Sequence, residues 1–282
     1  MKVNFMLIGA GKAGTTTLAD ILSNHPEVSF CSKKEPNFFS KSPNWKVELI
    51  DYHNLFKKKR NAIYGEASTS YTMSPEFNPE IWKDIHEYND KMKFIYIVRN
   101  PVQRAISQYM QSYQLGKINY SIEDAIKYYP RLINPSRYFT QIKPYIDLFG
   151  KEQVLIIDFA DFLNNKKIII ENISGFLGIS FKKFVDFENS YKNASINSKK
   201  LHFRTRNLVR KMNPIIKYIP EELKNSIKNS FVNPKRVFTE KPKLSEKYQR
   251  VIINLTKQDI IALATLTGKN FNSWLEIDKN LV

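Results

Sequence analysis

Residues Gly9-Ala10-Gly11-Lys12-Ala13-Gly14-Thr15-Thr16-Thr17-Leu18 follow directly on the apolar run Val3 to Ile8. An apolar run, a glycine-rich turn and a helix start form the arrangement in which backbone N–H groups cradle a phosphate. The stretch reads three ways. Gly9, Gly11 and Gly14 fit the dinucleotide pattern G-x-G-x-x-G. Gly9, Gly14 and Thr15 fit most of a P-loop, but the lysine before its hydroxyl residue is missing. Lys12 sits instead inside the loop, two residues before Gly14, and points at the phosphate nearest the loop centre rather than at a γ-phosphate. The third reading is therefore a loop for a 5′-phosphosulfate. A turn that binds nothing stands beside all three, and the loop alone does not decide.

A dinucleotide site needs an acid at the end of a second strand about 20 residues on, to hold a ribose. Glu35 has that spacing but follows Ser32-Lys33-Lys34, a basic loop rather than a strand end. Further along, the elements alternate. Strands are expected over Val3 to Ile8, Glu27 to Cys31, Ala62 to Glu66, Lys93 to Val98 and Val154 to Asp158. Helices are expected over Thr16 to Ser23, Tyr52 to Arg60, Pro79 to Tyr88, Pro101 to about Leu115, Ser136 to Phe149 and Asn165 to Leu177. Asn24-His25-Pro26 stops the first helix, and Pro101 starts another at the N1 position. This alternation predicts an α/β fold: a P-loop-like three-layer domain with a central parallel β-sheet flanked by helices. Residues 1–282 read as one domain, a core over 1–180 followed by a loop-rich, then helical, elaboration over 181–282.

The bulk composition bounds the chemistry. At 42% hydrophobic and 13% aromatic residues, the 282-residue chain can bury a large core and is not a disordered segment. Its apolar runs are far shorter than a membrane span. Met1-Lys2 leads straight into the first strand without a cleavable signal pattern. Cys31 is the only cysteine, which excludes an intrachain disulfide and a thiolate cluster, and four scattered histidines argue against zinc. A reducing cytoplasm and no metal are the expectation. The net charge is +17, and between Lys199 and Arg250 stand 15 basic and 4 acidic residues. Such an excess favours an anionic partner, whether nucleic acid, acidic polysaccharide or polyanionic cofactor; a solvated basic face is the bland alternative. No RNP-type aromatic text or zinc-finger spacing supports nucleic acid beyond the charge itself.

A second constellation lies in Tyr96-Ile97-Val98-Arg99-Asn100-Pro101-Val102-Gln103-Arg104-Ala105-Ile106-Ser107-Gln108-Tyr109. Arg99 follows a core strand, at the sheet end where open α/β folds bind ligands, and Ser107 lies eight residues on in the next helix. A guanidinium fork and a hydroxyl suit a second phosphate. Read blandly, Arg99 is a surface ion-pair partner and Ser107 a packing residue. Arg104 either shares the Ser107 face or makes a structural ion pair.

The glycine loop, Lys34-Glu35-Pro36-Asn37-Phe38-Phe39, Gly65-Glu66-Ala67-Ser68-Thr69-Ser70-Tyr71 and Val98-Arg99-Asn100-Pro101 through Ser107 together resemble the PAPS-dependent sulfotransferases. The nearest branch looks like the bacterial enzymes related to heparan sulfate sulfotransferases. The resemblance runs in order from Val3 to about Asn164 and returns more weakly in Asn193 to Arg206 and Gly268 to Trp274. It implies that Gly11, Lys12, Ala13, Gly14, Thr15, Thr16 and Thr17 hold the 5′-phosphosulfate of 3′-phosphoadenosine 5′-phosphosulfate (PAPS). Arg99 and Ser107 would hold its 3′-phosphate. A basic loop over the nucleotide would draw on Ser198, Lys199, Lys200 and Arg204, and the product would be 3′-phosphoadenosine 5′-phosphate (PAP). Lys12 would stabilise the leaving phosphate and Glu35 would be the general base, with Glu66 its competitor and a salt bridge to Lys33 or Lys34 its bland alternative. Desolvation against Phe38 and Phe39 would be needed to raise the basicity of Glu35.

The chain departs from the heparan sulfate 3-O pattern at three positions. Asn37 stands where those enzymes carry a histidine, Ala67 where they carry a lysine, and Thr16 where they carry an arginine. The lost positive charge argues against a highly sulfated acceptor. A bacterial surface sugar, a lipid-linked oligosaccharide or a small hydroxylated or amino metabolite fits as well. Candidate acceptor contacts are Glu66, Asn37, Tyr109, Tyr113, Arg137 and Tyr138, although aromatic residues at helical spacing more often belong to a core.

Overall fold

The computed structural model describes residues 1–185, 187, 199–201, 232–236, 238 and 240–282. Five parallel strands form the central sheet: β1 (Phe5–Gly9), β2 (Val28–Phe30), β3 (Ile63–Ala67), β4 (Lys93–Val98) and β5 (Val154–Asp158). Their order is β2-β3-β1-β4-β5. Every residue of β1 is buried, and all of β4 after Lys93. Both faces of the sheet are thus covered, which is why these strands read as unbroken apolar runs rather than as an alternation.

Flanking the sheet are α1 (Thr15–Ser23), α2 (Phe38–Lys41), α3 (Leu49–His53), α4 (Ile81–Tyr88), α5 (Pro101–Gln114), α6 (Ile122–Tyr128), α7 (Tyr138–Phe149), α8 (Phe159–Asn164), α9 (Lys166–Leu177) and α10 (Glu246–Thr267). A separate antiparallel pair joins β6 (Lys199–Leu201) to β7 (Val232–Arg236). Helix α10 packs on α5 and α7. Its Ile252 and Ile253 join Val102, Ile106 and Met110 in an apolar cluster apart from the main core. Among the described residues no helix is long and apolar enough to cross a membrane.

The topology creates the site. The chain leaves β1 through α1 towards β2 at one edge, and leaves β4 through α5 to α7 towards β5 at the other. Connections that diverge from neighbouring strands open a crevice at their C-terminal ends. The glycine loop follows β1 and Arg99 follows β4, so the two constellations face one crevice.

Local chemistry sets the boundaries. Asn100 caps α5, its Oδ1 accepting the N–H groups of Val102 at 3.0 Å and Gln103 at 3.2 Å, with Pro101 at N1. The helix expected over Tyr52 to Arg60 is instead α3, which ends at His53. The carbonyl of Leu55 accepts from both Ser32 N and Ser32 Oγ, and that of Lys57 from Ser29 Oγ. Those bonds tie the segment to the edge of the sheet and draw the Leu55 and Lys57 carbonyls away from a helical ladder. The expected helix start at Ser136 moves to Tyr138, after a 3-10 turn over Asn134–Ser136.

Gly14 occupies the left-handed region at φ +91°, and a Cβ built on it would lie 2.7 Å from the Phe159 ring. Gly14→Ala is therefore expected to destabilise the protein by about 1–3 kcal/mol in urea or thermal unfolding.

Candidate active site

The β1–α1 loop is pinned from beneath by two arginines. Arg99 Nη1 donates to the Lys12 carbonyl at 3.0 Å, and Arg104 Nη1 to that of Gly11 at 3.3 Å. With its carbonyls turned down onto guanidinium groups, the loop leads into α1, whose first-turn N–H groups carry the positive end of the helix dipole. Gly14 is the N-cap, and as a glycine it has no side chain to cap the first turn. The Lys12 ammonium is pushed down to about 8, first by burial and then by the nearby charges of Arg99, Lys34 and Arg104. This is a site short of negative charge.

Arg99 is held on three sides. Tyr138 Oη donates to its carbonyl at 2.5 Å and accepts its N–H at 3.3 Å, while the Phe159 ring lies 4.7 Å from the guanidinium carbon. Such stacking fixes the plane of the fork. Ser107 lies two turns into α5, on the face that lines the same crevice. Arg104 is completely buried and makes no ion pair among the described residues. Its donors go to Ser136 Oγ and to the carbonyls of Gly11 and Leu132. Carbonyl groups thus replace the carboxylate partner expected for Arg104, and they join the loop to the turn before α7.

Glu35 approaches from the opposite wall, on a loop between β2 and α2. Glu35 and Asn37 both stand at positive φ, +50° and +54°. Thr69, just after β3, holds the carboxylate through its N–H at 2.8 Å from Oε2 and its hydroxyl at 3.2 Å from the same oxygen. Burial raises the Glu35 pKa above the ordinary carboxylate value, opposed by the Thr69 hydrogen bonds and by the charges of Lys34 and Lys41. Among the described residues neither Lys33 nor Lys34 forms an ion pair with it. Asn37 Nδ2 donates to the Glu35 carbonyl at 2.6 Å, and Ser70 Oγ donates to Asn37 Oδ1 at 2.6 Å. Phe38 and Phe39 turn inward, Phe38 stacking on Tyr52 with ring centroids 4.1 Å apart.

These walls enclose a cavity of about 700 Å³. Gly11, Lys12, Gly14, Thr15, Thr16, Thr17, Glu35, Asn37, Arg99 and Ser107 all line it. Among the described residues, eight lysine and arginine side chains line it against a single carboxylate, Glu35. The three positions where the chain lacks basic residues therefore do not leave the cleft poor in positive charge, because Lys34, Lys41 and Arg131 supply it from elsewhere.

Other expected site residues lie away from this cavity. Glu66 does not reach the cleft: it is fully enclosed beneath the Glu35 loop, with Tyr52 Oη, Tyr71 Oη and Ser68 Oγ all donating to it. Tyr138 is equally buried and serves Arg99 rather than an acceptor. Tyr109 is buried, its hydroxyl donating to the Tyr120 carbonyl, and Tyr113 packs with Phe238. Arg137 precedes α7 and is not part of the lining, and Ala13 is buried under the loop. Ser198 and Arg204 lie outside the described residues, and Lys199 and Lys200 are described only as the backbone of β6. Thr69 and Phe159 were not anticipated as site residues. The hydroxyl run Ser68-Thr69-Ser70 was the available signal for the first; nothing local marks the second. Among the described residues no group of three or more His, Cys, Asp or Glu side chains could hold a metal.

A family model described as the sulfotransferase domain matches residues 2–258. Carbohydrate sulfotransferase 15 of Mus musculus is 26% identical over 246 residues, covering 62% of this chain and 44% of that protein. The chain spans less than half the length of the curated relatives that it matches. Among solved structures, a sulfotransferase from Alicyclobacillus acidocaldarius superimposes with a TM-score of 0.69 at 21% identity, covering 98% of this chain and all of that one. Mouse sulfotransferase SULT7A1 complexed with PAP gives a TM-score of 0.51 at 14% identity, over 95% of this chain and 89% of that one.

Proposed function

The chain belongs to the sulfotransferase domain family, and on that premise we propose that it transfers the sulfuryl group of PAPS to a hydroxyl or amine of a carbohydrate or small-molecule acceptor. One observation carries the reading. Lys12, the first turn of α1, Arg99 and Ser107 converge on one cavity, and the carboxylate of Glu35 enters it from the facing wall. A donor with phosphates at both ends of its ribose fits a site with two separate anion-binding ends and a large cationic excess. The PAP in the SULT7A1 structure supports the same donor, and the relative named as a carbohydrate sulfotransferase supports that acceptor class.

PAPS, when bound, supplies a sulfuryl group on a phosphate leaving group, and in-line displacement of such groups asks the protein mainly for position and charge. Lys12 and the α1 N–H groups would stabilise charge gathering on the leaving phosphate. Arg99 and Ser107 would hold the 3′-phosphate. Glu35, its basicity raised by burial, would take the acceptor proton at its Oε atoms while Thr69 keeps the carboxylate aimed.

Calorimetric titration with PAP, against AMP, ATP with Mg²⁺ and NADPH, tests this. PAP is expected to bind at least tenfold more tightly than AMP, and Arg99→Ala is expected to remove most of that difference, since a charge-assisted contact is worth about 1.5–3 kcal/mol. Preference for ATP with Mg²⁺ or for NADPH would return the glycine loop to its kinase or dinucleotide readings.

A further inference from the structure

Behind the Glu35 loop lies a buried acid that the transfer step does not use. Glu66 on β3 has no exposed surface, and among the described residues its hydrogen-bond donors are hydroxyl groups. Tyr52 Oη and Tyr71 Oη donate to its Oε1 at 2.8 Å and 2.7 Å, and Ser68 Oγ donates to Oε2 at 2.6 Å. The titratable groups that face it are Tyr52 on α3, Tyr71 after β3, Tyr88 on α4, Cys31 after β2 and Glu35 across the loop. Burial holds its pKa up at about 7, with the three hydroxyl donors opposing.

Above pH about 7 Glu66 is ionised and accepts only, and in that form it fixes the direction of the hydrogens around it. Ser68 commits its one hydroxyl hydrogen to Glu66 and presents only lone pairs on its other side. Asn37 N–H donates to that oxygen at 2.9 Å. The next two residues complete the grip: Thr69 N–H holds the Glu35 carboxylate, and Ser70 Oγ holds Asn37 Oδ1. The gripped loop carries Glu35 and Asn37 at positive φ, where L-residues stay only when their surroundings over-determine them. Resting on the reading of Glu35 as the base, we propose that Glu66 is a positioning residue. Its carboxylate orients the Ser68 hydroxyl, which holds Asn37 N–H and with it the turn that aims Glu35 into the cavity.

Three variants test the chain of contacts. Glu66→Gln keeps the shape, but its amide nitrogen can turn Ser68 from donor to acceptor. Ser68→Ala keeps the carboxylate and removes the link. Tyr52→Phe removes a hydrogen bond to Glu66 Oε1, the oxygen that Ser68 does not use, and keeps the ring that stacks on Phe38. Glu66→Gln and Ser68→Ala are expected to lower kcat by about 10–100-fold, since small misplacements of a reacting group cost on that order. PAP affinity and acceptor KM should stay within about threefold of wild type, because neither variant touches the Lys12 loop. Hydrogen–deuterium exchange of the peptide covering residues 35–40 should quicken in both variants. Tyr52→Phe should leave kcat and exchange near wild type even where its Tm falls as far.

Losses of kcat that follow Tm alike through all three variants, or unchanged kcat and exchange in Ser68→Ala, would overturn the proposal. If Glu66→Gln does not fold, Ser68→Ala against Tyr52→Phe decides. Absence of PAP binding and turnover in the wild type would defeat the sulfuryl-transfer reading instead. The exchange comparison would still show whether Glu66 holds the loop.

Discussion

Lys12→Met is expected to lower kcat/KM for sulfuryl transfer by about 10²–10³-fold, the usual effect of removing one preorganised charge-stabilising donor. The side chain keeps its length and its left-handed backbone, φ +75° in the native protein, so the loop keeps its shape. What disappears is an ammonium that burial and three neighbouring cations already hold at about 8. The sign of the pH effect follows. The free protein gives up this proton as pH rises through about 8, while an anionic ligand favours the charged form, so PAP affinity should fall from there upward. Titration of the wild type should show proton uptake on binding near that pH, and affinity should decline between about pH 7 and pH 9.5. The Met variant should bind more weakly at neutral pH and lose that slope. Its thermal stability should not fall, because the charged Lys12 is disfavoured in the free fold. A wild-type affinity that stays flat across this range, with kcat/KM of Lys12→Met within a few-fold of wild type, would remove Lys12 from the reaction.

Much of this site was legible because its parts are local. Strand, glycine turn and helix start are consecutive between Phe5 and Ser23, and Arg99 to Ser107 is one strand end running into one capped helix. Parallel strands covered on both faces announce themselves as apolar runs, as β1 and β4 do. The contacts that were not legible join distant segments. Thr69 meets Glu35 across 34 positions, and Arg104 reaches Gly11 across 93. Glu66 and Glu35 are both single acids in short motifs that the text alone does not rank, yet one is enclosed by tyrosines and the other opens on the cavity. Only the pairing of β3 with β1, which places the end of β3 beside the glycine loop, separates their roles. The helix misjudged over Tyr52 to Arg60 fails for the same reason. Tyr52 and Phe56 have helical spacing, but Ser29 and Ser32 compete for the carbonyls of Lys57 and Leu55. The tyrosines of α5 show the converse, since their helical spacing reflects packing rather than an acceptor surface.

Glu35→Gln is expected to lower kcat by about 10²–10⁴-fold, the range general-base catalysis supplies, with PAP affinity within about threefold of wild type. Glutamine retains an oxygen for the Thr69 N–H, so the loop should hold and the loss should report proton transfer rather than misfolding. The pH profile gives the independent check. Burial raises the Glu35 pKa, so the basic carboxylate forms at higher pH than an ordinary one, and wild-type kcat should climb with pH through an acid limb shifted upward from the ordinary carboxylate value. The neighbouring Lys34 and Lys41 oppose that rise by favouring the charged form. Lys34→Met should accordingly move the limb to higher pH, whereas a limb set by any acid away from these lysines would stay in place. Residual activity in Glu35→Gln should lose the limb altogether. A Gln variant that keeps both kcat and limb would transfer the base role to water or to the acceptor itself, and would leave Glu35 as a loop anchor bonded to Thr69.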